Sequence, residues 1–177
     1  MKIRKPNLEN IGSSGVPTDF EKSSGLFNRL LKEGKLRGIP RTEPVTMDEV
    51  RNLWVPSANK NITYLAETPE GEIVSSGTLL IKQGSNIYNQ QTKEKNEYSL
   101  IFDPEYTSAA VYVTGSVISK ALEKNKDFYI HTLPERKKIV EDVLERTGFA
   151  FNRKPLENYN PFKELGFKGD CWEYSIS

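Results

Sequence analysis

The chain holds a single histidine, His131, and a single cysteine, Cys171. An imidazole titrates near neutral pH and suits general-base work. His131 is therefore the first candidate for moving a proton, and a Ser-His-Asp or Cys-His mechanism would have to pass through it alone. One Cys and one His exclude a structural zinc site built from these types, and no metal is expected. Cys171 can close no intramolecular disulfide, which points to a reducing compartment. Two carboxylates, Glu67 and Glu97, fall in stretches of strand-like alternation and could relay a proton through water. Thr107, Ser108, Ala109 and Ala110 open a helical pattern. A helix N-terminus presents free backbone N–H groups and about half a positive charge, so small residues there suit an anion such as phosphate. Lys120 adds a cation further along the same pattern.

These residues need elements to position them. Lys2 to Lys5 reads as a short strand stopped by Pro6, and residues 10 to 25, rich in Gly, Ser and Pro, read as loop. Phe27, Leu30 and Leu31 place a helix over Leu26 to Glu33, ended by Gly34. Thr46-Met-Asp-Glu49 has the form of a capping box, and the helix it opens stops near Pro56. From residue 61 the period changes to two. Strands are predicted over 61–68 and 72–82, joined by the turn Pro69-Glu-Gly71, with a bulge at Gly77. A long polar loop, 83–96, leads to a third strand over 97–102. A helix over 108–124, capped by Thr107 or Ser108, and a strand over 127–132 complete a β-α-β unit, so these two strands are parallel neighbours. The most regular helix, 135–147, buries Ile139, Val140, Val143 and Leu144 and ends at Gly148. Strands near 149–153 and 171–176 follow, with a turn of helix around 161–165 between them. The expected fold is a single α/β (α+β) domain over 1–177, with a mixed, mostly antiparallel sheet flanked by helices. Its N-terminal helical part spans about 1–60 and its core about 61–177.

This order of elements resembles the GNAT superfamily of acyl-CoA-dependent N-acetyltransferases. Four segments carry the resemblance. Thr63-Tyr-Leu-Ala-Glu-Thr-Pro-Glu-Gly-Glu-Ile-Val74 looks like the central hairpin. Leu100-Ile-Phe-Asp-Pro-Glu-Tyr106 looks like the strand that leads into the cofactor loop. Thr107 to Leu122 stands where the pyrophosphate helix belongs, and Val143-Leu-Glu-Arg-Thr-Gly-Phe149 looks like the helix that closes on Gly-Phe. The resemblance implies a core that binds acetyl-CoA or a related acyl-CoA as co-substrate, with transfer to a primary amine by direct attack on the thioester. It implies that the parallel strands part. Backbone groups of Leu100 and Phe102 would then take the pantetheine arm, while Thr107, Ser108, Ala109 and Ala110 hold the pyrophosphate and Lys120 reaches a nucleotide phosphate.

Departures from the family pattern accompany the matches. Tyr106-Thr-Ser-Ala-Ala-Val-Tyr112 lacks the closely spaced glycines and the basic or amide residue of the usual phosphate loop, and Tyr112 is bulky. The family's Tyr acid falls on Leu144 or Phe162. Tyr159 and Tyr174 are the nearest C-terminal phenols to replace it. The alternative is therefore a catalytically inactive GNAT-like binding or interaction protein.

Charge and hydropathy set the remaining expectations. With 25 Lys and Arg against 24 Asp and Glu, the net charge of +1 gives no reason to expect DNA as a partner. No run of about 18 apolar residues is present, so no membrane partner is expected. Met1-Lys-Ile-Arg-Lys-Pro6 has no apolar stretch behind it and does not read as a secretory signal. A cytoplasmic enzyme, with an amine acceptor of unknown identity and a possible homodimer, is the expectation.

Overall fold

The structure is a computed structural model. It describes residues 1–9, 16–36, 41–55, 61–81, 95–158, 160 and 168–176. The loop 83–94, the helical turn near 161–165 and Tyr159 lie outside the described residues. In chain order the elements are β1 (Lys2–Arg4), α1 (Asp19–Lys32), α2 (Met47–Trp54), β2 (Ile62–Glu67), β3 (Ile73–Leu80), β4 (Glu97–Phe102), α3 (Thr107–Glu123), β5 (Phe128–Thr132), α4 (Lys137–Thr147), β6 (Asn152–Pro155) and β7 (Trp172–Ile176). Single 3₁₀ turns, Pro104–Tyr106 and Pro134–Arg136, lead into α3 and α4.

The strands form one seven-stranded sheet in the order β1-β2-β3-β4-β5-β7-β6. Every pairing is antiparallel except β4 with β5. Alternation along the strands sorts the core into two layers. Ile62, Leu79, Tyr98, Phe128, Ile130 and Tyr174 meet α3 and α4 through Val117, Ile118, Ala121 and Leu144. On the opposite face Leu65, Ile73 and Ile101 meet α1 and α2 through Phe20, Leu26, Leu30, Val50 and Trp54. This is the α+β architecture expected from the sequence. Among the described residues no helix is long and apolar enough to cross a membrane.

Three local expectations are corrected. Helix α1 starts at Asp19, not Leu26. The Thr18 hydroxyl accepts from the Glu21 N–H at 3.2 Å, and the Glu21 carboxylate accepts from the Thr18 N–H at 2.6 Å. Ser23-Ser-Gly25 reads as loop by composition, yet Ser24 returns its hydroxyl to the Glu21 carbonyl, and Phe20 packs on Trp54 with ring centroids 5.5 Å apart. Packing overrides weak propensity here. Replacing Thr18 by alanine is expected to cost about 1 kcal/mol in denaturant unfolding, the usual worth of such a cap. Second, the bulge lies at Ala66/Glu67, and Gly77 sits in unbroken register between Tyr64 and Leu100. Third, neither Thr107 nor Ser108 caps α3. Its N-cap position is Tyr106, which makes no side-chain cap bond, and the Thr107 hydroxyl donates to the Pro104 carbonyl.

Candidate functional site

The site grows out of the one parallel contact in the sheet. β4 and β5 pair at a single position, Glu97 with Tyr129. Beyond it β5 turns its hydrogen bonds to β7, with which it pairs along its whole length from Phe128 to Thr132. The C-terminal half of β4 is thus paired on the β3 side and has no β5 partner. The strands part, as the resemblance implied.

The chain leaving β4 is held firmly. The Asp103 N–H donates to the Val74 carbonyl at 2.9 Å. Its carboxylate accepts from the Glu105 N–H at 3.0 Å and from Arg29 of α1 at 2.8 Å. Burial pushes the Asp103 carboxyl up, but these hydrogen bonds outweigh it and hold the group below its ordinary range. This turn delivers the start of α3 to the open end of the gap. The first turn of α3 carries no acidic side chain, and its N-cap makes no side-chain cap bond; the first N–H groups of a helix lack partners within it and suit an anion.

The candidate cofactor residues divide. Ser108 is exposed and Thr107 half-buried, whereas Ala109 and Ala110 are fully buried. Ala110 joins Phe102, Val111 and Val143, flanked by Leu100 and Ile139, in an apolar cluster between β4 and the helices. Leu100 and Phe102 therefore have only backbone groups to offer a ligand. Lys120 stands thirteen residues along α3 from Thr107, about 20 Å at 1.5 Å per residue, and is ion-paired with Glu123. It lines a shallow groove of about 480 Å³ with Tyr112, Ser116, Ser119 and Arg146. Tyr112 is 60% exposed and points to solvent.

The candidate catalytic residues divide as well. Glu67 lies two strands away from β4, where Arg4 at 2.7 Å and Lys22 at 3.3 Å engage it and hold its carboxyl below the ordinary range. Tyr174 is fully buried on the α4 side, donates to Glu141 at 3.3 Å, and has its phenol pushed up by burial. Cys171 is buried, and burial followed by the Asp170 charge pushes its thiol up to about 11, which makes it a poor nucleophile. Glu97 and His131 do come together, with His131 Nδ1 3.4 Å from Glu97 Oε1.

One member of this group was missed in the sequence. Glu173 on β7 stands directly opposite His131 on β5. Its Oε2 is 2.8 Å from His131 Nε2 and 2.6 Å from Lys95 Nζ, and its Oε1 is 3.0 Å from Lys154 Nζ. Burial alone would raise the Glu173 carboxyl, but Lys95, His131 and Lys154 together hold it down at about 2. The signal was present in part: strand alternation sets Glu173 and Ser175 against Trp172, Tyr174 and Ile176. Only the β5-β7 pairing connects it to the histidine. A carboxylate held that low contributes stability that is complete above its unfolded value near 4.3 and is lost as pH falls toward 2. Stability by urea unfolding is therefore expected to drop between pH 5 and pH 3, and Glu173→Gln is expected to flatten that slope.

A parallel pair that parts within a mostly antiparallel sheet and is followed directly by a helix is the arrangement of the GNAT fold, and the chain has that fold. The chain is similar to an N-acetyltransferase from Staphylococcus aureus Mu50 (TM-score 0.66, 14% identity, covering 99% of this chain and 97% of the other). It is likewise similar to a ribosomal-protein-alanine N-acetyltransferase from Brucella melitensis (TM-score 0.68, 13% identity, 99% of each chain). A third similar structure is a GNAT superfamily phosphinothricin acetyltransferase from Sinorhizobium meliloti in complex with AcCoA (TM-score 0.67, 9% identity, 99% of this chain and 86% of the other). No protein-family model and no curated protein matches the sequence.

Proposed function

We propose that the protein transfers an acetyl or related acyl group from an acyl-CoA thioester to a primary amine, in the cytoplasm. The observation that carries this reading is the parting of β4 from β5 immediately before the uncapped start of α3. An extended polar arm can add to the free edge of β4 through the peptide groups of Leu100 and Phe102. A diphosphate at its end then meets the N–H groups of residues 107–110. The thioester supplies an activated acyl carbon. The chain's own task is to orient the amine, take its proton and shield the reacting carbon from water. This reading assigns the proton to His131 and Glu97, whose side chains meet at the closed end of the gap.

The fit is tested by heat. Acetyl-CoA at 100 times its dissociation constant should add about 2.7 kcal/mol, which is about 5–10 °C in a chain of this size. Ser108→Glu sets a negative charge at the exposed start of α3. That charge suits the helix dipole but repels a diphosphate. The variant is expected to keep its melting temperature while losing most of the protection by acetyl-CoA. No protection of the unmodified protein sinks the reading.

A second reading, a GNAT-like binding protein without turnover, is favoured by one observation. Phe102, Val143 and Ile139 form an apolar cluster on the helix side of the gap, and Tyr106 to Tyr112 carry no glycine. Turnover of any amine in a broad panel, lost in Ser108→Glu, excludes it.

A further inference from the structure

Two buried acceptor atoms meet at the closed end of the gap. The His131 side chain is 7% exposed and that of Glu97 10%. His131 Nδ1 and Glu97 Oε2 make no hydrogen bond among the described residues. The 3.4 Å approach of Nδ1 to Glu97 Oε1 falls outside hydrogen-bond geometry. Buried polar groups are ordinarily satisfied, and an exception calls for an explanation.

The charges around the ring sharpen it. Glu173 is compensated by Lys95 and Lys154, from the segment before β4 and from β6. Lys95 also lies over the Tyr129 ring at 4.7 Å. Glu97, by contrast, has only the imidazole as an ion-pair partner among the described residues. An ionised carboxylate accepts and cannot donate. Glu173, facing Nε2 at 2.8 Å, therefore favours the ring form with its proton on Nε2 and its lone pair on Nδ1. In the neutral ring, that lone pair and the Glu97 carboxylate then face each other with no proton between them. The group that completes the arrangement carries a positive charge and several N–H donors, which describes a primary ammonium.

We propose that Glu97 and His131 Nδ1 together receive the acceptor as its ammonium ion, and that Glu173 is a positioning residue that fixes the His131 ring with Nδ1 as the proton acceptor. The inference rests on the acyl-transfer reading for its chemistry. Glu97 binds the ammonium. One N–H proton passes to Nδ1, and the freed lone pair forms a C–N bond to the thioester carbonyl carbon. The C–S bond breaks, the leaving thiolate takes a second proton from the nitrogen, and His131 releases its proton to solvent.

Because His131 is the only histidine, labelling with ¹⁵N-histidine gives one ring to observe in the intact chain. The neutral ring is expected in the Nε2–H form. Titration with n-butylammonium is expected to move the Nδ1 resonance more than Nε2, and Glu97→Gln to abolish that response. Glu173→Gln is expected to mix the two tautomers and Glu173→Asp to restore part of the preference. With acetyl-CoA present, Glu97→Gln should raise the amine KM at least tenfold with little change in kcat. Glu173→Gln should lower kcat at least tenfold with little change in KM. An Nδ1–H tautomer in the unaltered protein, or a ring indifferent to n-butylammonium, overturns the proposal without need of any variant. The predicted spectra in a protein that acetylates no amine would uphold the ammonium site and reject the acyl-transfer reading instead.

Discussion

Gly77→Val is expected to destabilise the protein by about 3 kcal/mol or more, at the upper end of what overpacking a core usually costs. Gly77 lies in the middle of β3, between β2 and β4, on the face that carries α3. A Cβ at this position would collide with the Tyr98 hydroxyl and stand 2.7 Å from Val113 Cγ1 and 2.9 Å from Tyr98 Cε2. Neither neighbour yields easily. Tyr98 is buried, shares a 2.9 Å hydrogen bond with Thr114 of α3, and stacks on Phe128 at 4.8 Å. Val113 is fully buried. The strand backbone there has no positive φ, so the need for glycine is steric and not conformational. A 5–15 kcal/mol total stability leaves little reserve for such a loss. Urea unfolding measures it directly, and a cost under 1 kcal/mol would contradict the packing described. A double-mutant cycle adds a second check. Gly77→Ala is expected to cost less in a Tyr98→Phe background, because removal of the hydroxyl relieves the closest of the three contacts.

The second large effect concerns rate. His131→Ala is expected to lower the rate of amine acetylation by about 100-fold or more, the typical contribution of a positioned proton acceptor. The variant should remain folded, because Glu173 keeps Lys95 at 2.6 Å and Lys154 at 3.0 Å. Circular dichroism and the melting curve report on the fold while the acetylation assay reports on the chemistry. Tyr174→Phe serves as the contrast. Its hydroxyl points to Glu141 on the far side of the sheet, so its loss is expected to be felt in stability and not in the rate. A His131→Ala variant as fast as the unaltered protein removes histidine from the proposed reaction.

Much of the framework was legible because its signals are local. The period of two over 61–82, the stripe along α4 and the left-handed Gly148 that ends it depend on neighbours in the chain. So does the capping box at Thr46, which forms as read. Failures came where distant segments decide. The start of α1 depends on Phe20 finding Trp54. Gly77 looked like a bulge because its reason, Tyr98 and Val113, lies on other elements. His131 and Glu97 were identifiable by residue type, but their meeting requires β4 and β5 to be neighbours at the right register. Glu173 required β7 to lie beside β5 as well. Tyr174 is a candidate by sequence as a nearby C-terminal phenol; alternation shows which residues share a face, not which way that face looks.

The sheet is really two leaves. β2 with β3 and β3 with β4 are laddered at six positions each, and β5 with β7 at five, whereas a lone rung joins β4 to β5. Besides the Lys95–Glu173 ion pair at 2.6 Å and the bond from the Asn96 amide to the Asp127 carbonyl at 3.0 Å, what clasps the leaves is apolar: Tyr98 against Phe128, and α3 and α4 bridging the seam through Val117, Ile118 and Leu144. Such contacts weaken as water cools. Amide exchange along this seam should therefore quicken, relative to the ladders on either side, when the protein is chilled.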